Sequence, residues 1–373
     1  MQSAQGTANV PFGAFFLLAF SCLWGGFAIN SAPMVWTQFA IVVVAVLIVS
    51  FAGTGMILRF LRSHAILDHP NQRSSHSAPT PKGAGIIVVA AILAGWVGIS
   101  WDTPAAEIAL IIAVAAICLA GLSWYDDLRG LNPVWRLLGQ GVAVAYVLTS
   151  DVVSVAPFFG GLLPDFLDLL AAGLLWLWFV NLFNFMDGID GIAGVETAAL
   201  GLGIALVAAT AALSPAFVIY GLALTAGALG FLWWNWHPAR IFLGDVGSVP
   251  LGFLIGWLLL VLTKNGQWAA ALILPLYYLA DATITLIRRV LRGEKVWQAH
   301  RDHFYQQAVN HGLSHAQIVL HILWVDIILV MLAVCAANGW AAAALAGALF
   351  IVSWLLFYLG TGGRSQSIPG GGP

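Results

Sequence analysis

Apolar residues run in long blocks along this chain, and polar residues are gathered into the gaps between them. A helix needs ~17 to 25 residues to cross a ~30 Å hydrocarbon core, and blocks suited to that are read at 34–58, 84–100, 107–124, 134–150, 167–184 and 194–213. Five more follow at 216–236, 249–263, 268–287, 317–336 and 340–359. Such blocks are expected to be α-helices, because a backbone group left unpaired in lipid costs several kcal/mol. The stretch 12–30 reads as a twelfth span, a surface helix or a signal peptide. The last of these needs a basic start, and no Lys or Arg precedes Arg59. The expected architecture is an all-α, polytopic helix bundle in a membrane, with about eleven spans and twelve as the alternative.

Threading the blocks alternately across a bilayer places Arg59, Arg62, Arg73, Lys82, Arg129, Arg136, Arg240, Arg288, Arg289, Arg292, Lys295, Arg301 and Arg364 on one face. Lys264 alone falls opposite. Basic residues mark the cytoplasmic side, so this face is read as cytoplasmic, and the asymmetry supports the span count. A hydrophobic content of 61% with 8% charged residues agrees with a membrane protein and argues against two or three soluble domains. The net charge of −2 carries little information, and nothing indicates nucleic-acid binding. Cys22, Cys118 and Cys335 lie inside apolar blocks without a Cys-x-x-Cys pair, so neither a disulfide framework nor a thiolate metal site is expected. One transmembrane domain is read over 1–359, with 1–31 as the place of the alternative extra N-terminal helix and a Gly-rich tail at 360–373 read as disordered.

Five aspartates stand out in this apolar setting: Asp126, Asp127, Asp187, Asp190 and Asp245 all lie where apolar blocks end, on the basic face. The loop before 84–100 contains Pro79-Thr80-Pro81-Lys82-Gly83. It enters a helix whose first N–H groups lack helical partners, an anion site that Lys82 would strengthen. A connecting loop that only satisfies the positive-inside rule is the alternative. Asp126 and Asp127 are adjacent, and neighbours on a helix point ~100° apart, so they are expected to serve different partners. Acids at a helix C-terminus also oppose its dipole, which disfavours a merely solvated pair.

Asn181, Asn184, Asp187 and Asp190 recur every three residues and are expected to line one helical face turned to the bundle interior or a wet cavity. A structural polar seam between helices is the alternative. Before the 249–263 block, Asn235, Phe242 and Asp245 lie near Gly244 and Gly247, glycines that permit close backbone approach. The last basic-face loop carries His300-Arg301-Asp302-His303. The pairs His300/His303 and His311/His315 would suit zinc. The acids around them are aspartates without cysteine, which favours hard oxygen coordination of Mg²⁺.

These motifs, in this order, make the chain resemble the polyprenyl-phosphate N-acetylhexosamine-1-phosphate transferases. That membrane superfamily includes the peptidoglycan lipid I synthase and the O-antigen initiating enzymes. The resemblance runs from about Asp68 to Gln306 and includes Asn184-Phe185-Met186-Asp187-Gly188-Ile189-Asp190-Gly191 and Phe242-Leu243-Gly244-Asp245-Val246-Gly247-Ser248. It implies Mg²⁺-dependent transfer, with Mn²⁺ as an alternative, of a sugar 1-phosphate from a UDP-N-acetylhexosamine to undecaprenyl phosphate, with release of UMP. The implied setting is a bacterial inner membrane, among membrane lipids, with the active site built from cytoplasmic loops and a homodimer as one assembly. By this resemblance Asp245 is the foremost metal ligand, with Asp126 or Asp127 near metal and lipid phosphate. Asp187 and Asp190 surround the diphosphate and nucleotide, Thr80 and Lys82 bind substrate, and Asn184, Asn235 and Phe242 hold the uridine. His300, Arg301 and His303 contact sugar and phosphate oxygens.

Two departures favour the O-antigen and surface-polysaccharide branch over lipid I synthesis. The glycine run reads Gly83-Ala84-Gly85, and the final loop has His300-Arg301-Asp302-His303 where lipid I synthases carry a histidine triplet. A transporter or lipid flippase is the competing class, because Asp281 and Asp326 fall inside predicted spans.

Overall fold

A computed structural model of the chain describes residues 33–64, 66–68, 79–150, 153, 157–295 and 300–362. The expected 12–30 helix lies outside these residues. The described chain is almost wholly helical: α1 (Pro33–Ser63), α2 (Gly85–Ser100), α3 (Ala106–Arg129), α4 (Pro133–Leu148), α5 (Asp165–Phe185), α6 (Ile192–Thr210), α7 (Pro215–Asn235) and α8 (Asp245–Lys264). Then come α9 (Trp268–Ile273), α10 (Leu276–Leu291), α11 (Phe304–Asn310), α12 (His315–Cys335) and α13 (Ala341–Thr361). Among the described residues, seven stretches are long and apolar enough to cross a membrane, the last being the 47-residue run His315–Thr361. That run is two helices, α12 and α13, reversed through a π-turn at Ala336–Trp340 where Gly339 takes φ 94°. Gly85–Ser100 and Pro133–Leu148 are shorter apolar helices. The protein is a multi-pass membrane helix bundle.

Burial sorts the helices. The most apolar windows of α6 and α8 are 89% buried and form the centre, whereas that of α1 is 28% buried and presents Ile41, Ile48 and Met56 outward. Without a hydrophobic drive between helices in lipid, close packing depends on small residues. Gly201 of α6 and Gly221 of α7 illustrate this: a methyl group on Gly201 would stand 2.6 Å from the Gly221 carbonyl. Inside the bundle the mid-span acid Asp326 of α12 is buried, as is Glu196 of α6, and neither carboxylate has a hydrogen-bond partner among the described residues.

Two expected boundaries differ. The 268–287 span is broken into α9 and α10 at Pro275, because proline has no N–H to donate and its ring collides with the carbonyl four residues back. The first residues of the expected 360–373 tail are helical, since α13 continues to Thr361 with Gly360 packed beside Phe304, and residues 363–373 lie outside the described residues.

At one end of the bundle the backbone ties two loops together. β1 (Leu67–Asp68) pairs antiparallel with β2 (Thr80–Pro81), and Lys82 forms a parallel bridge with Phe242. The Phe242 N–H donates to Pro81 O at 2.8 Å, while Gly83 and Ala84 N–H both donate to Phe242 O at 3.1 Å. Further along, Gly85 and Gly247 bring α2 and α8 into backbone contact, with no room for a side chain at either position.

Candidate active site

The acids expected at the membrane edge gather where α3, α4, α5 and α8 end or begin at that same end of the bundle. Lys82 Nζ lies 2.6 Å from Asp127 Oδ1 and 3.5 Å from Asp245 Oδ1. Arg136, in the first turn of α4, places Nη1 2.9 Å from Asp126 Oδ2 and Nη2 3.2 Å from Asp245 Oδ2. Asn184, at the end of α5, donates to Asp245 Oδ2 at 3.3 Å. Asp126 and Asp127 therefore meet different cations, as their divergent directions on α3 require. Asp126 also accepts from Leu131 N at 2.6 Å, which turns the chain toward α4, and Asn132 caps that helix by accepting from Val134 N.

Burial disfavours a charged Lys82, but Asp245 and Asp127 outweigh it and hold its pKa above the ordinary lysine value. The ammonium is permanently charged at neutral pH. Asp245 stands in the first turn of α8, where the helix dipole favours a carboxylate.

The anion site expected at the start of α2 is not formed. Gly83 and Ala84 N–H are taken by Phe242 O and Gly85 N–H by Leu243 O at 2.9 Å, so distant carbonyls consume the free donors. The start of α8 does bind an anionic group, one supplied by the protein: Val246 N–H donates to Asp127 Oδ2 at 3.1 Å.

The three-residue stripe divides because α5 ends at Phe185. Asn181 bonds Gln140 of α4 at 2.7 Å and is part of a helix–helix seam. Asn184 enters the acid cluster. Asp187, half-buried in the following turn, has its pKa pushed up to about 7 by burial, then by Asp245 and Asp127, with Lys82 opposing. Asp190 turns the other way. Its Oδ2 receives His237 Nδ1 at 2.6 Å and Ala239 N–H at 3.1 Å, and His315 Nδ1 lies 3.3 Å away. Burial would raise this carboxyl, but the hydrogen bonds from His315 and His237 hold it below its usual value.

Asn235 is buried and fully engaged as a clamp, accepting from Gly191 N at 2.9 Å and donating to Ile241 O at 2.9 Å. It joins the Asp190 turn to the Phe242 segment. Phe242 remains half-exposed, and Thr80 is buried beside Lys82.

The final loop is seated by an acid inside the bundle. Asp281 of α10 accepts from His303 Nδ1 (3.1 Å), Phe304 N (3.1 Å), Tyr305 N (3.4 Å), Tyr277 OH (3.4 Å) and Thr285 Oγ1 (3.3 Å). Tyr305 OH donates to Phe185 O at 3.1 Å and packs against Gly188, which sets the loop beside the Asp187 turn. Among the described residues, His303 Nε2 and Arg301 Nε are buried without a protein partner. Burial and the neighbouring His303 and Arg289 lower His300 to about 4, so its ring is neutral near pH 7. The two histidine pairs weighed for zinc do not form metal sites: His300 and His303 meet edge to face, while His311 is exposed and His315 turns to Asp190.

Arg136, Asp281, His237 and His315 are the site-side residues that loop motifs did not single out for these roles. Arg136 carried one signal, a cation closely following the Asp126–Asp127 pair. An apolar cavity of about 740 Å³ lies away from this chemistry, at the opposite ends of the helices, lined by Phe158, Trp176, Leu259 and Lys264.

Comparison with known proteins places the chain in a family. Residues 108–263, which span the Asp126–Asp127, Asp187–Asp190 and Asp245 segments, match the model of glycosyl transferase family 4. The chain is 28% identical over 320 residues to the probable undecaprenyl-phosphate N-acetylglucosaminyl 1-phosphate transferase of Bacillus subtilis (strain 168), covering 82% of this chain and 86% of that one. It is 30% identical over 273 residues to the phospho-N-acetylmuramoyl-pentapeptide-transferase of Enterococcus hirae, covering 68% and 84%. A decaprenyl-phosphate N-acetylglucosaminephosphotransferase of Mycobacterium leprae is 26% identical over 342 residues. Transport is set aside, since Asp281 is a loop anchor and these relatives are named as transferases: the chain belongs to the polyprenyl-phosphate sugar-phosphate transferase superfamily of membrane enzymes.

Proposed function

We propose that this enzyme transfers an N-acetylhexosamine 1-phosphate from a UDP-sugar to undecaprenyl phosphate or a similar polyprenyl phosphate, releasing UMP and starting a lipid-linked surface glycan. The observation that carries this reading is the meeting of Lys82, Arg136 and three aspartates at the edge of an apolar bundle. A lipid phosphate and a soluble nucleotide can both reach such a place. The bias of basic residues to this end supports a cytoplasmic face in a bacterial inner membrane.

The donor set fits Mg²⁺. Asp126, Asp127 and Asp245 offer carboxylate oxygens, the chemistry of a hard cation, and Asp245 is the central ligand candidate because both bridging cations converge on it. When bound, Mg²⁺ would neutralise charge on the diphosphate. The protein's own residues supply the rest. Lys82 and Arg136 offset charge on phosphoryl oxygens, Arg136 with a planar fork suited to phosphate. Phe242 offers a half-exposed ring to the uracil, Asn184 and Asp187 border the diphosphate, and Asp190 borders the nucleotide. Thr80 and Asn235 shape the walls. Arg301 Nε supplies a donor for sugar or phosphate oxygens, and His303 Nε2, on a ring whose Nδ1 donates to Asp281, accepts from a sugar hydroxyl.

The polyprenyl phosphate oxygen attacks the sugar-bearing phosphorus directly. A phosphate monoester with a second pKa of ~6 is largely dianionic at pH 7, so no strong general base is required. The Asp68–Ser74 segment and Tyr305–Gln306 support the surface-polysaccharide branch.

The test is to incubate purified protein with undecaprenyl phosphate, Mg²⁺ and a panel of UDP-N-acetylhexosamines, measuring UMP and lipid-linked sugar. Turnover with at least one donor is expected, and its absence with every donor defeats the reading. Covalent label retained on the enzyme from UDP-sugar without lipid would replace direct attack with an aspartyl-phosphate route.

A further inference from the structure

We propose that Asp190, His237 and His315 form a site for a transition-metal dication such as Zn²⁺, separate from the carboxylate cluster at Asp245. The three residues come from three turns at the same end of the bundle. Asp190 lies between α5 and α6, His237 lies between α7 and α8, and His315 opens α12. One ligand atom from each lies within 4.8 Å of the others, the one such group of three among the described residues.

Spacing and donor type both favour this ion class. Bonds near 2 Å in a tetrahedral zinc site put ligand atoms roughly 3.3 Å apart. Here Asp190 Oδ2 stands 2.6 Å from His237 Nδ1 and 3.3 Å from His315 Nδ1, so small side-chain adjustments admit the ion. Two imidazoles and one carboxylate suit zinc and its neighbours, whereas Mg²⁺ prefers oxygen. The side chains of Asp190 and His315 are each 8% exposed and that of His237 is 37% exposed, which leaves an open side for water as a fourth ligand.

Hydrogen bonding gives His315 Nδ1, with its one lone pair, two candidate roles at this cluster. His315 Nδ1 lies 3.3 Å both from the Asp190 N–H, a donor, and from Asp190 Oδ2, an acceptor. One ring nitrogen cannot accept from the first and donate to the second at the same time. Bound to a cation, His315 Nδ1 gives its single lone pair to the ion in place of the long 3.3 Å contact from the Asp190 N–H. The Ala239 N–H on Oδ2 then acts as the outer hydrogen bond that orients a metal-binding carboxylate. The bound ion braces the Asp187–Asp190 turn against α12.

The test uses full-length, tag-free protein in detergent, stripped with a chelator and titrated with Co²⁺ and then Zn²⁺. One tight equivalent is expected, with the visible absorption of four-coordinate Co²⁺, displaced by Zn²⁺ and retained in excess Mg²⁺. His237→Ala and His315→Gln should each weaken binding by more than about a hundredfold, beyond the usual effect of an outer-shell change. Zn²⁺ should raise the melting temperature of the parent protein and not of His237→Ala. Because His237 is exposed, His237→Ala keeps the test decisive if His315→Gln does not fold. Absence of a tight equivalent overturns the proposal, as does binding that survives His237→Ala or is lost only in Asp245→Asn. None of these readings depends on turnover.

Discussion

Lys82 and Asp245, 163 positions apart in sequence, meet at 3.5 Å while the same ammonium holds Asp127 at 2.6 Å. With Arg136 the order becomes Asp127, Lys82, Asp245, Arg136, Asp126, an alternation of charge in which each acid is joined to the next through a cation. That alternation explains how three carboxylates share a low-dielectric edge without mutual repulsion unravelling the helix ends.

Arg136→Ala should lower kcat/KM by about a hundredfold to a thousandfold, the usual effect of removing one preorganised charge-stabilising donor. Arg136→Lys should recover only part of this, because a point charge cannot bridge Asp126 and Asp245 as a fork does. UMP release measures both. Turnover of Arg136→Ala near that of the parent would remove this residue from the machinery.

Asp187 supplies a pH-dependent prediction. Its folded-state pKa of about 7 lies above the ordinary 3.8, so its favourable contribution is complete below about pH 4 and is lost as pH rises through 7. Metal-free Asp187→Asn should therefore melt a few degrees above the parent at pH 8, and this gain should shrink as pH falls. Equal melting at pH 8 would show that the carboxyl carries no such burden. Turnover should be lost in the same variant.

Removal of the loop anchor should show first in the loop. Asp281→Leu leaves His303, Phe304 and Tyr305 without their acceptor and should cost about 3 to 5 kcal/mol, the range for breaking a buried charged interaction. Hydrogen exchange of the 300–306 amides should accelerate more than that of α8, whereas Asp281→Asn should have a milder effect. Unchanged exchange at Phe304 and Tyr305 would contradict the anchoring role.

Backbone contact at Gly85 and Gly247 predicts an effect at a distance. Gly85→Ala must push the starts of α2 and α8 apart, moving Lys82 relative to Asp245. A drop in kcat of tenfold or more, on the order of the cost of an ångström of misplacement, is expected with the protein still folded by size-exclusion chromatography. Wild-type kcat would show that the crossing adapts without disturbing the site.

The spans were legible because lipid imposes both length and helicity, and Pro275 was the local breaker that the block pattern of 268–287 ran across. Asp126, Asp127, Asp187 and Asp245 were legible because acids at the ends of apolar blocks need a purpose. Their partners were not. Arg136 bridges two acids only after α4 folds back, and the first amides of α2 looked free because the carbonyls of Phe242 and Leu243 lie far along the chain. The Asn181 to Asp190 periodicity was carried past Phe185, where the helix stops and side-chain directions change.

The Phe242 backbone is stitched to Pro81, Gly83 and Ala84. The ring proposed to meet the base and the ammonium within the acid cluster are therefore mounted on one mechanical part. If the Phe242 segment moves as a unit to close on a nucleotide, Lys82 is carried with it. Recognition of the base and placement of charge then become a single displacement, and a donor lacking the base would forfeit both.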